Sequence, residues 1–268
     1  MNQSKDDKIL LANAEDKFQQ CIRQYRITYT NFLDLRQRSL VSSLCKELAR
    51  GNREVRCAFF GGYEDAERTL AVFFPDYVEP WQFNEKGLLS DAPEDCPLSI
   101  IRIKAPAGGR KLTHRDYLGS LTGLGLKREM IGDILTTENG ADVIIMDEIK
   151  GFLLLNYSKA GRANLLLEAV NLMELSIPET KTALVKDTVA SLRLDNLVAS
   201  AFSMSRAKAA EAIRTGIVFI DSAQAEKPDM QVAEGAKLVL RGKGKAYLRQ
   251  VGGRTRKDRI AITIERYL

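Results

Sequence analysis

The chain has 268 residues, which is enough for two or three compact domains, each with its own core. Its composition, with 45% hydrophobic residues, 28% charged residues and a net charge of +5, excludes an intrinsically disordered chain. The first residues are polar and no apolar run reaches about 18 residues, so we expect neither a signal peptide nor a membrane span.

The first 96 residues are predicted to form an α+β unit. Apolar residues recur at helical spacing from about residue 8 to residue 50. Two β-like runs follow at 55–60 and 69–74, and Pro75 ends the second. The segment 76–97 is rich in proline and acidic residues and is predicted to connect this unit to the next. Four cysteines, at positions 21, 45, 57 and 96, match no disulfide framework, so we expect reduced thiols.

The order of elements between residues 97 and 178 predicts a ferredoxin-like plait. A strand at 98–104 precedes a helix at 114–121, a hairpin of 131–136 with 141–146, a helix at 147–157 and a strand at 163–172. Thr113 is the expected N-cap of the first helix, and Asn139 with Gly140 is expected to supply the positive φ angles of the hairpin turn. The order βαββαβ is shared by many RNA-recognition domains, although the last strand could equally be a helix by propensity.

The third predicted domain, residues 179–268, begins with a polar, linker-like segment at 179–187. Two helices are predicted at 194–202 and 206–215, with Ser205 as the N-cap of the second and Gly216 as its end. A basic β region follows from Ile217 onward.

Positive charge is concentrated in this last domain. Residues 193–268 contain 15 Lys and Arg against 8 Asp and Glu, a net charge of +7, so the rest of the chain carries −2. A lysine or arginine that neutralises a phosphate gains free energy by releasing condensed counterions. The distribution of charge therefore predicts a nucleic acid as the partner.

The same region resembles the S4 RNA-binding domain. The matching residues are Arg193-Leu194-Asp195, Ser205-Arg206, Ala209, Gly216-Ile217-Val218-Phe219-Ile220, Lys227-Pro228 and Val232-Ala233-Glu234-Gly235. Two turns depart from the pattern, because Asp221-Ser222 stands where the family has Asn-Gly and Ala236 stands where it has an acidic residue.

Nearly the whole chain resembles the YlmH family of bacteria and plastids. The motifs are Phe60-Gly61-Gly62-Tyr63, Ala66-Glu67-Arg68, residues 114–121, residues 123–128, Ile131-Gly132-Asp133-Ile134, and the tail segments 241–244 and 254–259. The resemblance implies an α+β protein with an N-terminal unit, a plait-like central domain and an S4 domain. It also implies binding to rRNA of the large ribosomal subunit, and a role in ribosome-associated quality control on subunits that hold an obstructed peptidyl-tRNA. Some members have been linked to cell division.

The candidate RNA-binding residues lie at helix starts, in turns and in the basic tail of the last domain. They are Arg193, Ser205, Arg206, Lys208, Arg214, Lys227, Arg241, Lys243, Lys245, Arg254, Arg256 and Lys257. Residues 241–259 contain 8 basic residues and one acidic residue, and the alternative to RNA contact is a β-edge protected by charge. Lys127 and Arg128 form a second candidate set, for which a solvated turn is an equal alternative.

Three features test the enzyme alternative. The sequence Arg193-Leu194-Asp195 also occurs in pseudouridine synthases, where the aspartate is the nucleophile, but here it lies inside the S4 pattern and Asp195 is expected to cap or salt-bridge a helix. The Gly-Leu-Gly at 123–125 follows a helix, which favours a turn over a cofactor loop. His114 is the only histidine, which excludes a multi-histidine metal site.

We therefore expect a non-catalytic RNA-binding protein with no cofactor. The ligands are rRNA and, as a further candidate, tRNA. We expect a monomer that is cytoplasmic, or in the plastid stroma if the source is a photosynthetic eukaryote. An RNA-modifying enzyme and a cell-division adaptor are the alternatives.

Overall fold

The computed structural model describes residues 4–51, 55–78, 97–105, 110–178 and 181–267. The chain divides into two compact units, Met1–Pro178 and Glu179–Leu268. Most of the predicted connection at 76–97, including the boundary predicted at residue 96 and Cys96, lies outside the described residues. That boundary stays a prediction. Within the described residues, no helix is both long enough and apolar enough to cross a membrane.

Two helices open the first unit. Helix α1, Lys5–Gln24, starts with a capping box between Ser4 and Asp7 and ends at Tyr25, which adopts a left-handed conformation with φ of 49°. Strand β1, Thr28–Tyr29, separates it from helix α2, Leu35–Gly51. The helical pattern predicted over residues 8–50 is therefore two helices and not one. The segment between them contains β1, although its apolar residues continue the helical spacing.

Both helices pack on a three-stranded sheet. Strand β2, Val55–Phe60, and strand β3, Leu70–Pro75, are antiparallel, and the strand order is β1-β3-β2. The two runs predicted at 55–60 and 69–74 are thus strands. The core between the helices and the sheet includes Phe18 and Phe73, whose rings meet edge to face at 5.8 Å between centroids. Cys21, Cys45 and Cys57 are free thiols, as expected.

The second sheet of this unit has four antiparallel strands in the order β5-β6-β4-β9. The elements in chain order are β4 Leu98–Lys104, α3 His114–Gly123, β5 Ile131–Thr136, β6 Gly140–Met146, α4 Lys150–Asn156, β7 Lys159–Ala160, β8 Ala163–Asn164 and β9 Leu166–Val170. Thr113 caps α3 in a capping box with Asp116, as predicted. The ambiguous last segment is a strand because it pairs with β4.

The turn between β5 and β6 corrects one expectation. Neither Asn139 nor Gly140 adopts a positive φ angle. Gly140 is required for space instead, because a Cβ atom at this position would lie 1.8 Å from the carbonyl oxygen of Ile103 on the neighbouring strand β4. The Asn-Gly pair therefore serves close strand pairing and not a left-handed turn.

Residues of the N-terminal motifs join the two sheets of the first unit. Asp133 on β5 accepts hydrogen bonds from the Tyr63 hydroxyl at 2.8 Å and from the backbone N–H groups of Glu67 at 2.7 Å and Arg68 at 3.1 Å. The Arg68 guanidinium donates to the carbonyl oxygen of Ile131 at 2.9 Å. Burial, followed by the charge of Asp133, raises the pKa of Tyr63. These motif residues thus have an architectural role.

The second unit is a six-stranded antiparallel sheet with two helices on one face. Its elements are β10 Thr182–Val189, α5 Leu194–Ala201, α6 Arg206–Arg214, β11 Val218–Ile220, β12 Ala223–Gln224, β13 Lys237–Leu240, β14 Gly244–Arg254 and β15 Ile260–Tyr267. The strand order is β10-β15-β14-β13-β11-β12. Apolar residues of the two helices, including Leu197 of α5 and Ile213 of α6, form one core with alternate residues of the sheet, including Leu248 and Ile264.

Strand β10 corrects the prediction of a polar linker at 179–187. It pairs with β15 along its whole length, from Thr182 opposite Tyr267 to Val189 opposite Ile260. Val185 and Val189 are four residues apart, so both lie on the face of the strand that packs against the core, while the three residues between them are polar. Ser205 caps α6 and Gly216, with φ of 73°, follows it, as predicted.

Candidate nucleic-acid interface

The start of α5 is held by a buried carboxylate. The side chain of Asp195 is 5% exposed and lies 3.1 Å from the Arg193 guanidinium and 3.0 Å from the Arg206 guanidinium. Burial raises the pKa of Asp195, but the hydrogen bonds from Arg193 and then from Arg206 outweigh it and hold the pKa below its usual value. Asp195 thus forms salt bridges at the first helix, as expected.

Arg206 and Lys208 are both candidate residues at the start of α6, but they differ in their contacts. The Arg206 side chain is 56% exposed, but its Nε–H donates to Asp195. Lys208 is exposed and, among the described residues, has no ion-pair partner. Arg206 contributes to the architecture of the unit, whereas Lys208 can direct its charge to a ligand.

The N-terminal end of α6 offers backbone donors beside these cations. The Ser205 hydroxyl accepts a hydrogen bond from the Lys208 N–H at 3.3 Å, and the remaining first-turn N–H groups have no acceptor inside the helix. The helix macrodipole adds partial positive charge at this end. The α6 start therefore presents donors and charge of the kind that binds phosphate.

An open cleft in the second unit brings several predicted residues together. It lies between β10, the end of α5, the start of α6 and the turn between β13 and β14, and its lining includes Ser205, Lys208, Arg241 and Lys243. The acidic side chain in the lining is Asp187, whose carboxylate accepts a hydrogen bond from the Ser200 hydroxyl at 2.7 Å. We call this cleft, with its four predicted residues, the basic cleft.

The turn between β13 and β14 depends on two glycines. Gly242 has φ of 83° and Gly244 has φ of 103°, which other residues rarely adopt. They hold Arg241 and Lys243 on either side of an exposed turn at the rim of the cleft.

The other candidate residues of the last domain lie outside the basic cleft. Arg254, Arg256 and Lys257 are exposed around the turn between β14 and β15, where Arg254 pairs with Asp258 at 2.5 Å. The remaining candidates outside the cleft are Arg193, Arg206, Arg214, Lys227 and Lys245. Lys245 lies over the ring of a tyrosine on β15.

Two basic residues near the cleft were missed by the sequence prediction. Arg259 donates to the Thr188 hydroxyl at 3.0 Å, and with Arg206 it lines a groove that shares Asp187 with the basic cleft. Lys186 belongs to β10 and lines the cleft itself. The run of basic residues in the tail could have indicated Arg259. Lys186 was missed because residues 179–187 were interpreted as a linker.

The second candidate pair, Lys127 and Arg128 in the first unit, consists of two residues with different environments. The Arg128 guanidinium donates to the carbonyl oxygens of Ile131 and Gly132, the latter at 3.1 Å. Burial, followed by the nearby charge of Arg68, lowers the pKa of Arg128 to about 10. Arg128 is therefore bound to the backbone of its own unit, which corrects the prediction of a paired basic surface. The Lys127 side chain is 80% exposed.

The geometry around Asp195 bears on catalysis as well. A nucleophilic aspartate must reach the reacting atom of its substrate. Two guanidinium groups bind the Asp195 carboxylate, and the residue as a whole is 3% exposed. This arrangement stabilises the two-helix region and does not present a nucleophile. The basic cleft, in contrast, presents cations and hydrogen-bond donors, which are the groups that contact phosphates in proteins that bind nucleic acids.

Comparison with known proteins gives the following matches. Residues 92–174 match a family model described as "Putative RNA-binding domain in YlmH". A Bacillus subtilis (strain 168) protein named "Ribosome-associated protein quality control protein P2" is 33% identical over 262 residues, which cover 98% of this chain and 96% of that protein. A solved structure, "Cell division protein ylmH from Streptococcus pneumoniae", is 24% identical with a TM-score of 0.49, and the match covers 66% of this chain and 98% of that one. A shorter segment is 34% identical over 93 residues to "Probable protein arginine N-methyltransferase 3" of Oryza sativa subsp. japonica, covering 30% of this chain and 15% of that protein.

Proposed function

The chain belongs to the YlmH family, and on that premise we propose that it is a non-catalytic RNA-binding protein that binds rRNA of the large ribosomal subunit. The relative from Bacillus subtilis carries ribosome-associated quality control in its name. We extend that role to this chain. Peptidyl-tRNA held on the subunit is a second ligand in the proposal, and the protein acts as a monomer where ribosomes are, in the cytoplasm or the plastid stroma.

The observation that carries the proposal is the basic cleft. Ser205 and Lys208 at the start of α6 face a turn that bears Arg241 and Lys243, and all four line one concavity. Cations and helix N–H groups that converge on one concave surface can contact neighbouring phosphates of a structured RNA together, whereas an isolated surface lysine contacts one. The cleft supports binding to the backbone, with shape rather than base sequence as the basis of recognition.

The domain assignments belong to the same proposal. We assign residues 97–178 to a ferredoxin-like plait, supported by the strand order β5-β6-β4-β9, which places the first and third strands of βαββαβ at the centre of the sheet. We assign residues 179–268 to an S4 domain. Its support is the pair of helices packed on the sheet and the Asp195–Arg206 salt bridge, which joins two of the matching motifs.

The test of the proposal is binding of the full-length protein to purified large ribosomal subunits by pelleting. The variant Lys208→Glu with Lys243→Glu reverses two charges of the basic cleft and is expected to reduce binding at least about 10-fold, because each reversal replaces attraction to phosphate with repulsion. The matched control is Lys8→Glu with Lys46→Glu, which reverses two exposed charges of the first unit.

A thermal melt of each variant accompanies the pelleting assay. The proposal expects wild-type melting for both variants and loss of binding only for the cleft variant. Equal binding by the cleft variant and wild type would place the RNA-binding surface elsewhere.

A further inference from the structure

The outer face of the second unit's sheet carries an array of tyrosines and cations. The rings of Tyr247 and Tyr267 have centroids 5.7 Å apart. The Arg249 guanidinium lies 4.6 Å from the Tyr247 centroid and the Lys237 Nζ lies 5.7 Å from it. The Lys245 Nζ lies 4.5 Å above the Tyr267 ring. We call these five residues the tyrosine–cation platform.

Strand register places the platform on the face of the sheet opposite the helices. Lys237 on β13 is the direct partner of Tyr247 on β14, which is in turn opposite Glu265 on β15, so these side chains share a face. The next residues along the strands, such as Leu248 and Ile264, are fully buried in the core with α5 and α6. The platform is therefore separate from the basic cleft, which lies on the helical side.

Three of the five platform residues are cations, and one of them is fixed in place by a carboxylate. That carboxylate belongs to Glu265, which lies opposite Tyr247 on β15. The Arg249 Nε–H donates to Glu265 at 2.6 Å, which holds the guanidinium plane over the Tyr247 ring while 48% of the Arg249 side chain remains exposed. The hydrogen bond that Arg249 donates to Glu265 also raises the pKa of Arg249, so the group stays charged.

We propose that the tyrosine–cation platform binds unpaired nucleobases of an RNA strand. Aromatic rings and guanidinium planes are the groups on which proteins stack splayed-out bases, and lysines beside them attract the phosphates between the bases. Cations beside the rings favour RNA over an apolar protein segment, because covering charged groups with apolar side chains removes their hydration without supplying phosphate in return. The inference rests on the proposed function because the ligand is RNA, but it concerns a different surface and a single-stranded ligand.

A stacking role requires aromatic residues on this face. Cation–π pairs across a sheet stabilise it to some extent with any aromatic residue. Base stacking requires in addition an aromatic plane that reaches solvent, and Tyr247 and Tyr267 are both only partly buried. A stacking role therefore depends on the ring and not on the hydroxyl. Leucine at these positions should abolish stacking, whereas phenylalanine should preserve it.

The experiment measures binding of the full-length protein to fluorescein-labelled octauridine and to an abasic oligomer with the same number of phosphates. Wild type is expected to bind octauridine at least about 10-fold more tightly than the abasic oligomer, since loss of one or two stacked bases has an effect of that size. Tyr247→Leu with Tyr267→Leu should lose this preference, and Tyr247→Phe with Tyr267→Phe should keep it.

The matched control is Tyr25→Leu with Tyr77→Leu, which removes another exposed tyrosine pair, with centroids 5.1 Å apart, from the first unit. This control should keep the preference for octauridine. A second measurement needs no variant: a 4-thiouridine oligomer cross-linked to wild type should modify the peptides that contain Tyr247 or Tyr267.

Equal binding of octauridine and the abasic oligomer by wild type, or cross-links confined to other peptides, would overturn the proposal. These results leave the basic cleft untouched, because its own test is the binding of large ribosomal subunits by the Lys208 and Lys243 variant. The octauridine assay with the tyrosine variants therefore tests base binding by the platform, and the pelleting assay with the lysine variant separately tests the proposed function.

Discussion

The Asp195 carboxylate and the Arg206 guanidinium lie 3.0 Å apart and join the start of α5 to the start of α6. Both residues belong to the motifs that carry the S4 resemblance. One is a catalytic residue type and the other an RNA-binding residue type, yet in this fold they neutralise each other. The second unit is therefore stabilised by the salt bridge that the sequence predicts for Asp195, and one partner in it is an arginine that the sequence assigned to RNA contact.

Replacement of Asp195 by asparagine should destabilise the second unit while leaving RNA binding intact in the folded protein. The amide retains the shape but loses two charge-assisted hydrogen bonds, an effect of about 1.5–3 kcal/mol. Urea unfolding measures it, with Glu226→Gln, an exposed carboxylate of the same unit, as the control. An rRNA base modification that depends on Asp195, found by mass mapping of rRNA, would contradict this architectural role.

The salt bridges of Asp195 should also make stability depend on pH. The folded-state pKa of Asp195 is lowered by Arg193 and Arg206 despite burial, so the stabilisation is complete above the unfolded pKa, about 3.9, and is lost as the pH falls toward the folded value. The difference in unfolding free energy between wild type and Asp195→Asn is thus expected to be constant from pH 7 to about pH 5 and to shrink below about pH 4. A difference that grows on acidification would show that Asp195 is not ionised in the folded protein.

The substitution Ser222→Gly should stabilise the second unit. Asp221 and Ser222 form the turn between β11 and β12 with φ angles of 47° and 69°, where the S4 pattern has Asn-Gly. Glycine removes the steric cost of a left-handed serine, and we expect a gain of about 0.5–1 kcal/mol in unfolding free energy. Asp221 is retained because its carboxylate accepts the Lys237 N–H at 2.9 Å.

The control for this turn is Ser222→Ala, which keeps the Cβ atom and should give no gain. Chemical denaturation of the three proteins under one set of conditions makes the comparison. A stabilisation by alanine equal to that by glycine would show that backbone strain is not the cause.

Neutralising the basic cleft should reduce the salt dependence of RNA binding. Lys208→Gln with Lys243→Gln removes two cations, and each phosphate contact contributes about one unit to the slope of log affinity against log salt concentration. Titration of a structured rRNA fragment at several salt concentrations should therefore give a slope smaller by about 2 than wild type. An unchanged slope would mean that these lysines do not contact phosphate.

Local signals made the individual elements predictable from sequence. Thr113 and Ser205 mark helix starts by side-chain hydrogen bonds within their own turns, and the structure shows both caps. Strand Leu98–Lys104 follows from a short apolar run and has the predicted bounds. These features depend on residues close in sequence, which a single chain reveals directly.

Contacts between residues that are far apart in the chain could not be predicted from the sequence. The polar residues of β10 were interpreted as a linker because the pairing of that strand with β15 is not visible locally. The contact between Asp195 and Arg206 and the assembly of Tyr247 with Tyr267 likewise depend on tertiary packing or strand register. Arg128 was placed on a basic surface because the sequence does not show that the carbonyl oxygens of Ile131 and Gly132, at the start of β5, lie within reach of its guanidinium.

The most direct test of the central claim is to sediment the tagged wild-type protein from cell lysate through a density gradient and to identify the ribosomal particle that it follows. We expect the protein in the fractions that contain large-subunit rRNA, and release from them at high salt because the contacts are to phosphate. Sedimentation at the top of the gradient, or only with the small subunit, would contradict the claim that this protein binds the large ribosomal subunit.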